Sequence, residues 1–176
     1  MNFGFTEDQD MIRQSARDFV KGESKLERIR QMREDARGYS PQLYQKMAES
    51  GWLGAVLPEE HGGIGLGMYD LICISEELGK GLLPEPLIDS AVVCGSAILL
   101  GGSDEQKSDW LPKIAAGEIT CALAAYELEG RFNLGHVNVK AERRGEGYAL
   151  QGEKSLVENA AHADVLLVTA KSSDDS

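Results

Sequence analysis

Apolar residues recur at helical spacing from the start of the chain. Thr6 and Gln9 stand three apart in the pattern of a capping box, and Met11, Ile12, Phe19 and Val20 then recur at helical spacing. A helix is predicted over residues 7–21. Residues 25–37 are rich in Arg and Glu, with Leu26, Ile29 and Met32 three apart, the pattern of a solvated helix with one narrow apolar stripe. Ser40-Pro41 starts a third helix over residues 41–50, in which Leu43, Tyr44, Met47 and Ala48 share a face and Gly51 is the stop. Residues 69–78 are again helical in period. Pro84 and Pro86 then interrupt the chain before an apolar run, 87–100, that predicts one long buried helix. Ser103 with Gln106 repeats the capping-box pattern and opens a helix that bears Trp110, Leu111 and Ile114 and ends at Gly117.

After Gly117 the period changes. Runs 120–126, 137–142, 148–150 and 165–170 are short and strand-like, separated by Gly, Asn and charged residues. The expected class is α+β: an all-α helical bundle over residues 1–117, its core including Phe19, Leu53, Leu71, Leu99 and Trp110, then a partial antiparallel β domain over 118–176. Four short strands cannot close a barrel or fill a sandwich, so the β unit is expected to be cut short or completed by another chain.

Composition narrows the function classes. Hydrophobic residues make up 42% of the 176 and charged ones 27%, which suits a folded domain. Eighteen Lys plus Arg against twenty-nine Asp plus Glu leave a net charge of −11, which disfavours nucleic acid and anionic membrane surfaces as partners. Residues 1–40 hold eight basic and eight acidic side chains, so the whole excess falls on 41–176. The 87–100 run contains Asp89, Ser90 and Ser96 and is too short to cross a bilayer. Residues 1–8 lack the basic start and apolar stretch of a secretory signal, and Cys73, Cys94 and Cys121 read as buried thiols in apolar surroundings. The expected location is the cytoplasm.

Candidate chemistry is sparse. Residues 52–57 look like a strand, and Gly62-Gly63-Ile64-Gly65-Leu66-Gly67 precedes a helix, which superficially suggests a dinucleotide-binding turn. The spacing is G-x-G-x-G, however, and Glu59 and Glu60 stand where a pyrophosphate would approach, so a structural loop is the better reading. His61, His136 and His162 are too scattered for a metal site or a catalytic pairing, and no metal is expected. Glu76 and Glu77 diverge by about 100° on a helix and read as solvated surface rather than as a general-base pair.

Three blocks carry more information. Pro58-Glu59-Glu60-His61-Gly62-Gly63-Ile64-Gly65-Leu66, then Glu76-Glu77-Leu78-Gly79, then Gly102-Ser103-Asp104-Glu105-Gln106-Lys107 with Trp110-Leu111-Pro112-Lys113 and Gly117-Glu118, closely resemble the N-terminal helical domain of the acyl-CoA dehydrogenases in order and spacing. The match continues through Gly152-Glu153-Lys154, Asn159 and His162-Ala163-Asp164. The resemblance spans the whole chain and about half of the family's length. It implies an oxidoreductase of lipid metabolism with FAD as cofactor and an acyl-CoA thioester as substrate, a homo- or hetero-oligomer of similar chains, and an electron-transfer protein as acceptor. In that chemistry a carboxylate removes the α-proton while the β-hydride passes to the flavin N5. The family's catalytic glutamate lies in a second helical domain beyond the match. No catalytic residue is assigned here, and the isolated chain is expected to be inactive.

The resemblance also implies flavin-contact positions at Ala125, Tyr126, Leu156 and Glu158. The side chains there depart from the family. Where its members have Thr-Glu-Pro-Gly-Ala-Gly-Ser-Asp, this chain has Tyr126-Glu127-Leu128-Glu129-Gly130-Arg131-Phe132-Asn133. Where they have an aromatic, an aliphatic, Thr, Asn and Gly, it has Leu156-Val157-Glu158-Asn159-Ala160. A phenol thus replaces one threonine and a carboxylate the other. The leading expectation is a fragment of an FAD-dependent acyl-CoA dehydrogenase. The alternatives are a non-catalytic partner subunit of a heteromeric one, and an acyl-CoA oxidase or flavin monooxygenase on the same fold.

Overall fold

A computed structural model describes residues 4–172. The helical part runs α1 (Glu7–Glu23), α2 (Leu26–Glu34), α3 (Pro41–Glu49), a 3₁₀ turn (Glu59–His61), α4 (Met68–Lys80), a π-helix (Leu87–Cys94), α5 (Gly95–Gly101) and α6 (Asp104–Ala115). Strands follow: β1 (Cys121–Ala124), β2 (Lys140–Arg144), β3 (Gly147–Gln151), β4 (Val165–Val168) and β5 (Lys171–Ser172). The class is α+β.

Both expected capping boxes form. Thr6 Oγ1 accepts the Gln9 N–H at 3.2 Å while the Gln9 side chain accepts the Thr6 N–H at 3.1 Å, and Ser103 with Gln106 does the same at 3.2 and 2.9 Å. Helix α2 stops three residues earlier than expected. The Asp35 carboxylate turns back to accept the Arg37 N–H at 2.8 Å, and Gly38 takes a left-handed φ of 76°. The apolar stripe on α2 buries no residue.

Two corrections concern the apolar runs. Residues 52–57 form turns rather than a strand: the Ala55 N–H donates to the Trp52 carbonyl at 3.2 Å and the Leu57 N–H to the Gly54 carbonyl at 3.1 Å. Two more of their carbonyls accept from the glycine run, since the Leu66 N–H reaches the Ala55 oxygen at 2.7 Å and the Gly65 N–H the Leu57 oxygen at 2.9 Å. Gly63 packs so closely that an added Cβ would lie 2.0 Å from the Leu57 oxygen. These glycines therefore serve a tight structural loop. The long helix over 87–100 is split into a π-helix and α5, and its widened turns carry Ser90 into the core.

Ser90 is fully buried. Its Oγ accepts the Cys121 N–H from β1 at 2.8 Å and the Tyr44 hydroxyl from α3 at 3.3 Å. One hydroxyl thus joins three elements where the helices meet the strands. The core around it contains Met47, Leu53, Leu57, Ile74, Leu111 and Ile114. Leu53 and Leu71 are buried as expected, whereas Phe19, Leu99 and Trp110 are only partly buried against that core.

Glu77 also needs correcting: it is buried, not solvated surface. Packing of α1 on α4 brings Arg17 to 2.9 Å and Arg13 to 3.5 Å from its carboxylate, and Lys80 adds a third cation at 2.9 Å. The hydrogen bonds from Arg17 and Lys80 hold its carboxyl at about 2, well below the usual range. Glu76 stays exposed.

Strand pairing is mixed. The β2–β3 hairpin is antiparallel as expected, with Lys140 opposite Gln151, but β1 pairs with β4 in parallel, Cys121 opposite Val165, and β2 pairs with β5 in parallel. Asp164 helps fix the β1–β4 register, because its carboxylate accepts both the N–H and the hydroxyl of Thr120, at 2.8 and 3.1 Å.

Candidate functional site

The site is built at the C-terminal end of β1. Ala125 is buried there, and Tyr126 turns its ring edge-to-face against Phe132, the centroids 5.8 Å apart. The Ser155 N–H donates to the Tyr126 carbonyl at 2.9 Å. That bond joins Tyr126 to the residue before Leu156, and Lys154 reaches the Ala125 carbonyl at 3.3 Å, so Ala125, Tyr126 and the segment entering Leu156 lie together, while Glu158 lies two residues further along that segment. Leu156 is exposed and has a left-handed φ of 52°; Asn159 has one of 57°. Such conformations cost roughly 1–3 kcal/mol each and persist only where the surroundings impose them. Glu158 faces solvent.

Behind the turn lies a buried ion pair that sequence reasoning missed as site chemistry. Glu127 accepts the N–H of Asn138 at 2.7 and 2.8 Å, one distance to each oxygen, and that of Val139 at 3.0 Å, while Lys154 donates to it at 2.9 Å. The Lys154 hydrogen bond is the chief reason its carboxyl sits low, at about 2. These bonds explain why β2 begins at Lys140 rather than at 137, since Glu127 takes the two N–H groups before it. The available signal was a lone Glu aligned with the family's, followed by Gly152-Glu153-Lys154. Asn159 reaches the helices as well, donating to Asp89 of the π-helix at 3.3 Å.

Three hollows surround this joint. One, of about 590 Å³, lies between α5, α6, β1 and β4 and is lined by Ile98, Trp110, Leu123, Val165 and Leu167. A second, of about 280 Å³, lies between α4 and the π-helix, walled by Met47, Leu78, Leu83 and Leu87 with Glu85 and Asp89 at its rim. Glu85 is anchored by Arg28 and by the Ser40 N–H at 3.1 Å. A polar hollow of about 240 Å³ sits beside Glu127 and Lys154.

The histidines stay apart. His162 Nε2 is 2.6 Å from the Ala36 carbonyl, His136 Nε2 is 3.0 Å from the Asn138 amide, and His61 lies 3.8 Å from Glu60. Among the described residues, no group of His, Cys, Asp or Glu stands in position to hold a metal ion, and no helix is long and apolar enough to cross a membrane. All three cysteines are buried free thiols.

A helical unit with a strand-end turn docked on its π-helix defines an α+β protein whose candidate site lies at the joint between the two. The chain belongs to the acyl-CoA dehydrogenase family: the model for "Acyl-CoA dehydrogenase, N-terminal domain" matches residues 6–118. It is 32% identical over 169 residues to the 3-(aryl)acrylate reductase of Clostridium sporogenes, covering 95% of this chain and 44% of that protein. Its fold is similar to that of the acyl-CoA dehydrogenase complexed with FAD from Bacillus anthracis, at TM-score 0.85 and 31% identity over 96% of this chain and 29% of that one. It is also similar to the ChsE4–ChsE5 complex from Mycobacterium tuberculosis, at TM-score 0.85 and 26% identity over 99% and 46%. The chain spans less than half the length of these relatives.

Proposed function

We propose that the protein carrying this chain is an FAD-dependent dehydrogenase of acyl-CoA thioesters, and that this chain supplies an N-terminal helical domain (1–117) and the start of a β domain (118–176) that touches the flavin. The observation that supports this reading is that Ala125–Tyr126 is bonded to Lys154 and Ser155, the two residues that lead into Leu156. Backbone groups of these segments would serve the edge of a flat heteroaromatic ring, because an amide N–H or carbonyl contributes whatever the side chain. Bound FAD would accept the hydride from the substrate's β-carbon. The chain's own part is to hold the ring edge, to shield it through the Asn159–Asp89 link to the π-helix, and to offer the apolar hollow walled by Met47, Leu78, Leu83 and Leu87 to an acyl tail. No residue here is proposed as the base that removes the α-proton. Electrons would leave to an electron-transfer protein.

A second reading is favoured by Tyr126 and Glu158. A phenol packed on Phe132 and an exposed carboxylate suit a partner subunit of a heteromeric dehydrogenase, whose companion carries the better flavin site. FAD titration of the flavin-stripped complete protein separates the two. Under the first reading the protein binds FAD alone and the Tyr126→Thr, Glu158→Thr variant binds roughly tenfold tighter, as a lost hydrogen bond is regained and a carboxylate removed. Binding only in the presence of a companion chain supports the second, and absence of FAD binding in either form overturns both.

A further inference from the structure

We propose that Lys154, anchored by Glu127, is a positioning residue that fixes the two candidate flavin-contact segments against each other; the inference rests on the FAD reading above. The Lys154 side chain is 7% exposed and that of Glu127 6%. A lysine ammonium has three donors, and three acceptors meet them: Glu127 Oε1 at 2.9 Å, Thr169 Oγ1 at 2.8 Å and the Ala125 carbonyl at 3.3 Å. Glu127 in turn holds the N–H groups of Asn138 and Val139. One buried pair therefore ties together the end of β1, the start of β2, the end of β4 and the segment that leads into Leu156.

Stability alone does not call for such a pair. Replacing a buried ion pair with apolar side chains of similar volume is often neutral or stabilising. Apolar contacts, however, cannot set distances between four segments, whereas directional bonds to fixed backbone atoms do. The order of the bonds points the same way. Lys154 grips Ala125, its neighbour Ser155 grips Tyr126, and the next residue, Leu156, enters its left-handed turn. Ala125 and Tyr126 are thus each held by one of the two residues just before the turn. Other charges facing the pair are His136, 3.9 Å from Glu127, and the acidic Glu129 and Glu153 at the polar hollow.

The test uses the complete protein stripped of flavin and titrated with FAD, with apo-protein melting followed in parallel. Lys154→Met is expected to weaken FAD binding at least tenfold and to move the bound flavin's long-wavelength absorbance band toward that of free FAD. Lys154→Arg, which keeps the charge, is expected to recover part of the affinity. Thr169→Val removes one acceptor of Lys154 together with the hydroxyl's own bond to the Ala125 carbonyl at 3.3 Å, leaves the ion pair intact and serves even if Lys154→Met does not fold; a loss of about threefold or more at an unchanged melting temperature supports the proposal. Affinity and band position equal to wild type in Lys154→Met, or in Thr169→Val where the first variant does not fold, overturn this inference alone. Wild-type protein that takes up no FAD overturns the FAD reading and this inference with it.

Discussion

Replacing Ser90 with alanine deletes one oxygen and strands two buried groups. The Cys121 N–H loses its acceptor at 2.8 Å, and the Tyr44 hydroxyl, on a side chain 2% exposed, loses its partner at 3.3 Å. Leaving a buried donor unpaired costs roughly 1–3 kcal/mol, and the longer phenol contact belongs at the low end, so Ser90→Ala is expected to cost about 2–4 kcal/mol. With a denaturant slope of about 2 kcal/mol per molar, the urea midpoint falls by about 1–2 M. Tyr44→Phe removes donor and hydroxyl together and costs only about 0.5–1.5 kcal/mol in the wild-type background. In the Ser90→Ala background it removes a stranded phenol, so it is neutral or stabilising, and the cycle gives a coupling of about 1 kcal/mol. A midpoint shift below about 0.3 M for Ser90→Ala, or equal costs of Tyr44→Phe in the two backgrounds, would refute the buried triad.

The carboxyls of Glu77 and Glu127 are both held at about 2, below their ordinary 4.5, so their stabilisation is complete above pH 4.5 and is lost as pH falls toward 2. Thermal melts are expected to show Glu77→Gln less stable than wild type near neutral pH, with the gap closing across that window. Burial pushes the Cys94 thiol up to about 11 and Cys121 up to about 12, so iodoacetamide at neutral pH is expected to label none of the three cysteines until the protein is denatured, as read by mass spectrometry. Gly63→Ala, whose Cβ would lie 2.0 Å from a backbone oxygen, is expected to cost about 3 kcal/mol or more by urea titration. Gly145→Ala, at φ 63° with open space around it, should cost about 1 kcal/mol.

Helix positions and both capping boxes were legible because their signals are local: a cap and its N3 partner are three residues apart, and an apolar face repeats within a turn. The burial of Glu77 leaves no local trace, because its partners Arg13 and Arg17 are about sixty residues away and only the packing of α1 on α4 brings them to it. The apolar run 52–57 suits a strand or a turn equally well by its own pattern, and the decision lies with residues 64–66, whose N–H groups donate to its carbonyls. Ala125, Tyr126, Leu156 and Glu158 were found by resemblance, yet nothing in their spacing told that Ser155 would bond Tyr126. Lys154 stayed hidden for the same reason: its acceptors lie 15 to 29 residues away.

The parallel pairing of β1 with β4 has a consequence for the order in which the molecule assembles. Cys121 faces Val165, 44 positions later in the sequence, and a chain growing at roughly 5–20 residues per second needs about 2–9 s to supply that partner. During that interval β1 is an apolar strand with no ladder. The surface that receives it is the helical unit, which precedes it in the chain and whose π-helix packs against β1. Ser90 offers a berth for it, since its Oγ accepts the Cys121 N–H without any partner strand, and β1 is expected to dock there before β4 pairs with it. Pulse-labelled hydrogen exchange would register this sequence as protection of the Cys121 amide that rises with the helices and ahead of the amides of Val165 to Val168.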